Sequence, residues 1–266
     1  SSVIPFLLKS EPCKISPMKI IQLFIYLASI SFTFGEELSV DKILLSTLHR
    51  LDSINHQFSV NIKETGKKEK IKNYQISIQW PEKGDILKRT RVKPIQNKRK
   101  KPSSIWEHQF KDRQKTKRWM TMPITGKLKD ISDKKSTKKF TLADLEFTEK
   151  EIAENEHSLL PSEVIGDHSV HVIKSVKKGK NGKVKKSKKI WIDTNDYLIH
   201  KAEFYTKSGR LYRSVECTDV QTIEGISFPL KIFVKDLKSK SEIFVQLDKI
   251  EINPQFEAGL FIPKDQ

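Results

Sequence analysis

From Phe58 onward, apolar residues recur at every second position, and this alternation constrains the fold more than any other feature of the chain. Phe58, Val60 and Ile62 alternate with polar neighbours up to Gly66, and Tyr74, Ile76, Ile78 and Trp80 do the same up to Pro81 and Gly84. A period of two is the repeat of a strand that buries one face. The same pattern returns over residues 86–92, with Arg89 and Arg91 turned from the apolar side. It continues over 105–110 and 117–122, a hairpin about Asp112-Arg113-Gln114. Further runs carry Val170 and Val172, then Ile190 and Ile192, joined by a basic turn whose Asn181-Gly182 is a hairpin signal. Residues 197–205 and 211–215 pair across Lys207-Ser208-Gly209, and runs over 226–234 and 243–252 follow. Roughly ten such runs, at the ~8–12-residue spacing of a meandering antiparallel sheet, predict a mainly β fold.

Helical spacing occurs twice. Over residues 38–54, Leu44, Leu48 and Leu51 share one face, supported by Leu45 and Ile54; Ser39 suits the N-cap and Asp41 the first turn. Over 141–152, Phe140, Leu142, Leu145 and Phe147 give an apolar side, and Thr141 with Asp144 forms a weak capping box. The Lys-rich stretch 126–139 between sheet and helix reads as a surface loop. No linker or repeat divides the chain, so residues 36–266 read as one domain.

The first 35 residues follow other rules. Met18-Lys19 precedes an apolar run from Ile20 to Phe32 and then Thr33-Phe34-Gly35, the layout of an export signal over residues 18–35. Residues 1–17 read as an upstream extension. The run is shorter than the ~20 residues of a membrane span, and no cysteine follows it for lipidation. The expected location is the periplasm. Of the two cysteines, Cys13 falls in the upstream segment and leaves Cys217 alone, so no internal disulfide is expected; export without disulfides suits a bacterial envelope. The formal net charge is +17, and removing Lys9, Lys14, Lys19 and Glu11 with residues 1–35 leaves +15. Such a charge attracts polyanions. Export argues against nucleic acid as the partner and favours an anionic membrane surface.

The familiar catalytic signatures are missing: no Gly-x-Ser-x-Gly, His-Glu-x-x-His, phosphate-binding glycine loop or Cys-x-x-Cys occurs. His157, His168 and His171 read as scattered surface histidines, and Asp193 and Asp196 as turn residues. The chain is expected to be no enzyme and to hold neither cofactor nor metal. Aromatic and sulfur side chains are more suggestive. Trp80, Trp106, Trp119, Met120, Met122, Trp191, Phe204 and Phe233 lie on or beside strands, and two helices are few to cover so much sheet. These eight either line an apolar ligand cavity or pack as plain core.

Ordered motifs add a family resemblance. Trp119-Met120-Thr121-Met122-Pro123 with Phe140-Thr141-Leu142-Ala143-Asp144-Leu145 resembles the W-x-x-x-P and F-x-x-x-D-L region of outer-membrane lipoprotein-sorting proteins, the LolA-like group. Ile190-Trp191-Ile192-Asp193 and the stretch from Ala202 through Glu203-Phe204-Tyr205 to Gly209 and Leu211 resemble its W-I-D and E-F-Y-D-x-x-G-x-L hairpin. Ile223-Glu224-Gly225-Ile226-Ser227-Phe228-Pro229 is similar to its I-x-G-x-x-x-P element, and Leu260-Phe261-Ile262-Pro263 to its terminal strand motif. The resemblance implies an incomplete antiparallel β-barrel closed by helices. It also implies non-catalytic binding of lipoprotein acyl chains or other lipids, beside an inner-membrane transporter. The eight residues above would line the cavity, and the helix around Leu142 and Leu145 would be its lid. A lipid-sensing regulatory module of the same fold is the alternative. The chain departs from the family in lacking the loop glycine before the lid helix. The family's lid-holding arginine on an early strand corresponds to Arg89 or Arg91.

Overall fold

The computed structural model describes residues 39–66, 69–95, 103–112, 116–133, 148–179 and 181–265. The expected upstream extension, the export signal, and the lid residues Leu142 and Leu145 lie outside the described residues.

A helix, α1 (Val40–Leu48), opens the described chain: Ser39 caps it by accepting from Lys42 N, and Ile43 and Leu44 are its buried residues. It is shorter than its apolar spacing predicts. Ser53 adopts φ +66, and the His49 ring bonds Asp52 at 2.8 Å, turning the chain before Leu51 and Ile54 can extend the helix. Six strands then meander: β1 (His56–Thr65), β2 (Lys70–Gln79), β3 (Ile86–Pro94), β4 (Ile105–Phe110), β5 (Thr116–Thr121) and β6 (Leu128–Asp130). The last of these lies within the stretch expected to be loop. A second helix, α2 (Glu149–Glu154), has a complete capping box between Thr148 and Glu151; the expected box of Thr141 with Asp144 lies outside the described residues. Seven strands complete the chain: β7 (Glu156–Ile165), β8 (His168–Lys178), β9 (Val184–Asp193), β10 (Ile199–Thr206), β11 (Leu211–Ile223), β12 (Ile226–Asp236) and β13 (Ser241–Ile252).

Among the described residues these strands form one antiparallel sheet in the order β6-β5-β4-β3-β2-β1-β13-β12-β11-β10-β9-β8-β7. The two meanders join where β1 pairs with β13. The outermost strands, β6 and β7, do not pair with each other, so the sheet is the expected incomplete barrel.

Register assigns every side chain to one of two faces, since neighbours across a ladder share a face. The inner face carries a row of cross-strand partners from Ile173 through Ile190, Ala202 and Val215 to Val234. All five are buried. A parallel row runs from Cys217 through Ile232 and Val245 to Ile62. Burial pushes the Cys217 thiol to about 12, which makes it a core residue. The α2 end lies over this face: Asn155 Nδ2 donates to the inner-facing Ser175 hydroxyl at 3.5 Å. Burial there brings the inner-facing Lys188 ammonium down to about 8, against the opposing charge of Glu151.

The outer face is largely polar, and its large buried side chains lie at two places. Trp191, Val170 and Val172 form a buried cluster capped by Leu160 and Ile165, and Trp191 Nε1 donates to Glu163 at 2.8 Å. The second place lies under residues 253–265. The segment 260–263 was expected to be a strand. It is instead a strap, because its carbonyls are taken by side chains: Trp106 Nε1 donates to Leu260 O at 3.2 Å and His108 Nε2 to Phe261 O at 2.9 Å. Gly259 at φ +79 turns the strap, and Phe261 is buried.

Candidate functional site

The two halves of the inner face differ in cover. In the half built by β8 to β13, most inner-facing apolar residues are fully buried. In the half built by β1 to β5 they are mostly half-buried, Val60 being the buried exception. There, Phe58, Ile76, Val92, Ile105 and Met120 pair in direct sequence across five strands. All five are apolar and all five retain partial exposure. The next row toward the strand ends is His56, Ile78, Thr90, Glu107 and Arg118. It is polar on one side, where Arg118 Nε donates to Glu107 Oε2 at 2.5 Å. On its other side His56 stacks on Phe58 at 6.1 Å between ring centroids, and burial holds its imidazole below the ordinary 6.5. Beyond these rows Lys88 places its ammonium 5.5 Å from the Trp80 ring. Trp80 Nε1 is buried and has no hydrogen-bond partner among the described residues. The result is an apolar band with a basic and aromatic margin, an arrangement suited to a chain with a polar head.

The eight expected cavity residues do not share one face. Strand alternation puts Met120 and Phe204 on the inner side, where Met120 opposes Ile105 and Phe204 opposes the inner-facing Lys188; Trp80 and Met122 follow directly after β2 and β5 in the inner parity, and Trp80 meets Lys88. Trp106 and Trp119 oppose each other on the outer face, in a row with Arg91 and Asp130. Trp119 stands edge-on to His108 at 5.0 Å. Trp191 and Phe233 belong to a second outer row, with Lys201, Glu216 and Phe244 between or beside them. Both candidate arginines also face outward: Arg89 donates to Gln79 Oε1 at 3.1 Å, and the Arg91 guanidinium lies 5.5 Å from the Trp106 ring. Burial lowers the Arg91 pKa, with Glu257 opposing that shift.

Sequence reasoning missed Phe58, Ile76, Val92 and Ile105 as site residues. Their alternation was visible, but only the ladder register shows that they fall in one row with Met120. A separate recess of about 330 Å³ opens near Leu160, Lys174, Lys189 and Tyr205, away from this row.

Several known proteins resemble the chain. A family model described as uncharacterized protein-like matches residues 88–265. No curated protein matches the sequence. A DUF1329 family protein from Desulfovibrio piger superposes with a TM-score of 0.65 at 13% identity, covering 83% of this chain and 95% of that one. A putative outer membrane lipoprotein-sorting protein domain from Vibrio parahaemolyticus gives 0.62 at 15% identity, covering 84% and 95%. A LolA superfamily protein from Nitrosomonas europaea gives 0.56 at 20% identity, covering 85% and 98%. The shared fold is LolA-like, as the motifs predict.

Proposed function

Because this chain belongs to the uncharacterized-protein-like family matched over residues 88–265 and has the LolA-like sheet, we propose that it binds and carries acyl chains. The cargo is the lipid part of a lipoprotein, or another lipid, moved between membranes of the cell envelope. The observation that carries this reading is the half-buried row Phe58, Ile76, Val92, Ile105 and Met120. An acyl chain laid along it gains roughly 0.8 kcal/mol for each methylene removed from water. Trp80, Met122 and Phe204 extend the lining. Lys88 at its margin suits an anionic head group, and the Trp80 indole N–H suits an ester carbonyl. No chemistry is required of the protein, and the reading is of a non-catalytic carrier. The export layout of residues 18–35 supports the periplasm as its place of work. No helix among the described residues is long and apolar enough to cross a membrane.

Native mass spectrometry of the chain purified from an envelope fraction, with extraction of the bound lipid, tests this reading. Adducts with the masses of acylated species are expected. A clean unliganded mass after incubation with phospholipids and acylated peptides would contradict it and favour a module that regulates a partner protein.

A further inference from the structure

Three strand ends converge on the outer face around a single carboxylate oxygen. Asp193, the last residue of β9, places Oδ2 2.9 Å from His168 Nδ1 at the start of β8 and 3.0 Å from His200 Nε2 near the start of β10. The three ligand-type atoms lie within 4.8 Å of one another. The fold builds this cluster from residues that the sequence reading kept apart. Val170 pairs with Asp193, which brings the beginning of β8 to the end of β9, and a β-bulge between Ile199 and Lys201 places His200 beside them. We propose that His168, Asp193 and His200 bind a divalent transition metal ion of the zinc type.

Three features carry the assignment. First, the donor set of two imidazole nitrogens and one carboxylate oxygen is one that zinc and its neighbours prefer. Second, an ion with bonds of ~2.0–2.1 Å in tetrahedral geometry holds its ligand atoms about 3.3 Å apart, and the Asp193 oxygen lies 2.9 and 3.0 Å from the two imidazole nitrogens. The two imidazoles sit 4.4 Å apart between centroids and tilted by 39°, both turned to the same oxygen. Third, the site is held firmly and is open on one side. Asp193 Oδ1 accepts from Asn195 N at 2.8 Å, fixing the carboxylate as an outer-shell bond would. The Asp193 and His200 side chains are 4% and 2% exposed, whereas that of His168 is 43% exposed. An ion can enter past His168 and keep a water or another ligand on that side. Arg50 lies near enough to act electrostatically on Asp193 and Asp196, and it offsets part of their negative charge.

Titration of the chelator-stripped full chain with Zn²⁺ by calorimetry, and with Co²⁺ by visible absorption, tests the assignment. One equivalent of Zn²⁺ is expected, together with Co²⁺ bands in the visible. His168→Gln, at the accessible edge of the site, should fold normally and weaken binding by more than about tenfold. Asp193→Asn should abolish binding. If that buried variant fails to fold, His168→Gln carries the test. His171 faces the opposite side of the sheet, paired with Ile192, so His171→Gln should bind as the parent does. Absence of binding by the parent chain, or equal affinity in the parent and His168→Gln, would overturn the proposal.

Discussion

Replacing Trp106 with alanine is expected to destabilise the fold by about 3–5 kcal/mol. The side chain is 1% exposed although it stands on the outer face. Its cover is the strap of residues 253–265, whose Leu260 carbonyl accepts the indole proton at 3.2 Å. The alanine variant would lose the ring's burial, that hydrogen bond and the contact with Arg91, whose Nε is buried with no partner among the described residues. The strap would also lose an anchor, leaving His108 and the backbone N–H of Leu128, which donates to Asp265 Oδ1 at 2.6 Å. The denaturant midpoint of the variant measures the loss. Deleting the strap should cost a comparable amount, and the two changes together should cost less than their sum, because both remove one interface. A loss below about 1 kcal/mol would mean that the strap does not seal this tryptophan.

Replacing Ile76 with aspartate is expected to lower acyl-chain affinity by more than about 100-fold. Ile76 sits between Phe58 and Val92 near the middle of the exposed apolar row. A carboxylate there must either lose its water against the acyl chain or keep it and push the chain away, at a cost of several kcal/mol. Partial exposure of the site lets the free protein keep the carboxylate hydrated, so the effect falls on binding more than on folding. Met120→Asp, at the end of the same row, is the second variant. Trp119→Asp makes the matched comparison: Trp119 is the neighbour of Met120 in sequence but belongs to the other face, and affinity should change by less than about twofold. A fluorescent fatty acid displaced by unlabelled lipid gives the three constants.

The architecture was readable from alternation because most strands have one polar and one apolar face. What alternation could not do is sort adjacent apolar residues. Ile105-Trp106, Trp119-Met120 and Ile190-Trp191-Ile192 each place large side chains on both faces of one strand. A sequence reading gathers all of them into one cavity. The separation depends on what covers the outer face, and that cover comes from afar: the strap over Trp106, and the edge strand carrying Leu160 and Ile165 over Trp191. The edge strand itself, Glu156–Ile165, went unread. It pairs on one side only, its Leu159-Leu160 doublet breaks the period, and Pro161 falls at its bulge. The histidine and aspartate cluster was invisible for a related reason, since ladder register and a β-bulge bring its members together, His168 from 25 residues before Asp193.

Tryptophan quenching by a fatty acid brominated along its chain tests most directly whether the inner face holds the acyl group, because bromine quenches only an indole close to it. Trp80 is the inner tryptophan, and Trp106, Trp119 and Trp191 face outward. Saturable quenching is expected that disappears in Trp80→Phe and persists in Trp119→Phe. Quenching that persists in Trp80→Phe and disappears in Trp119→Phe would place the ligand on the outer face and contradict it.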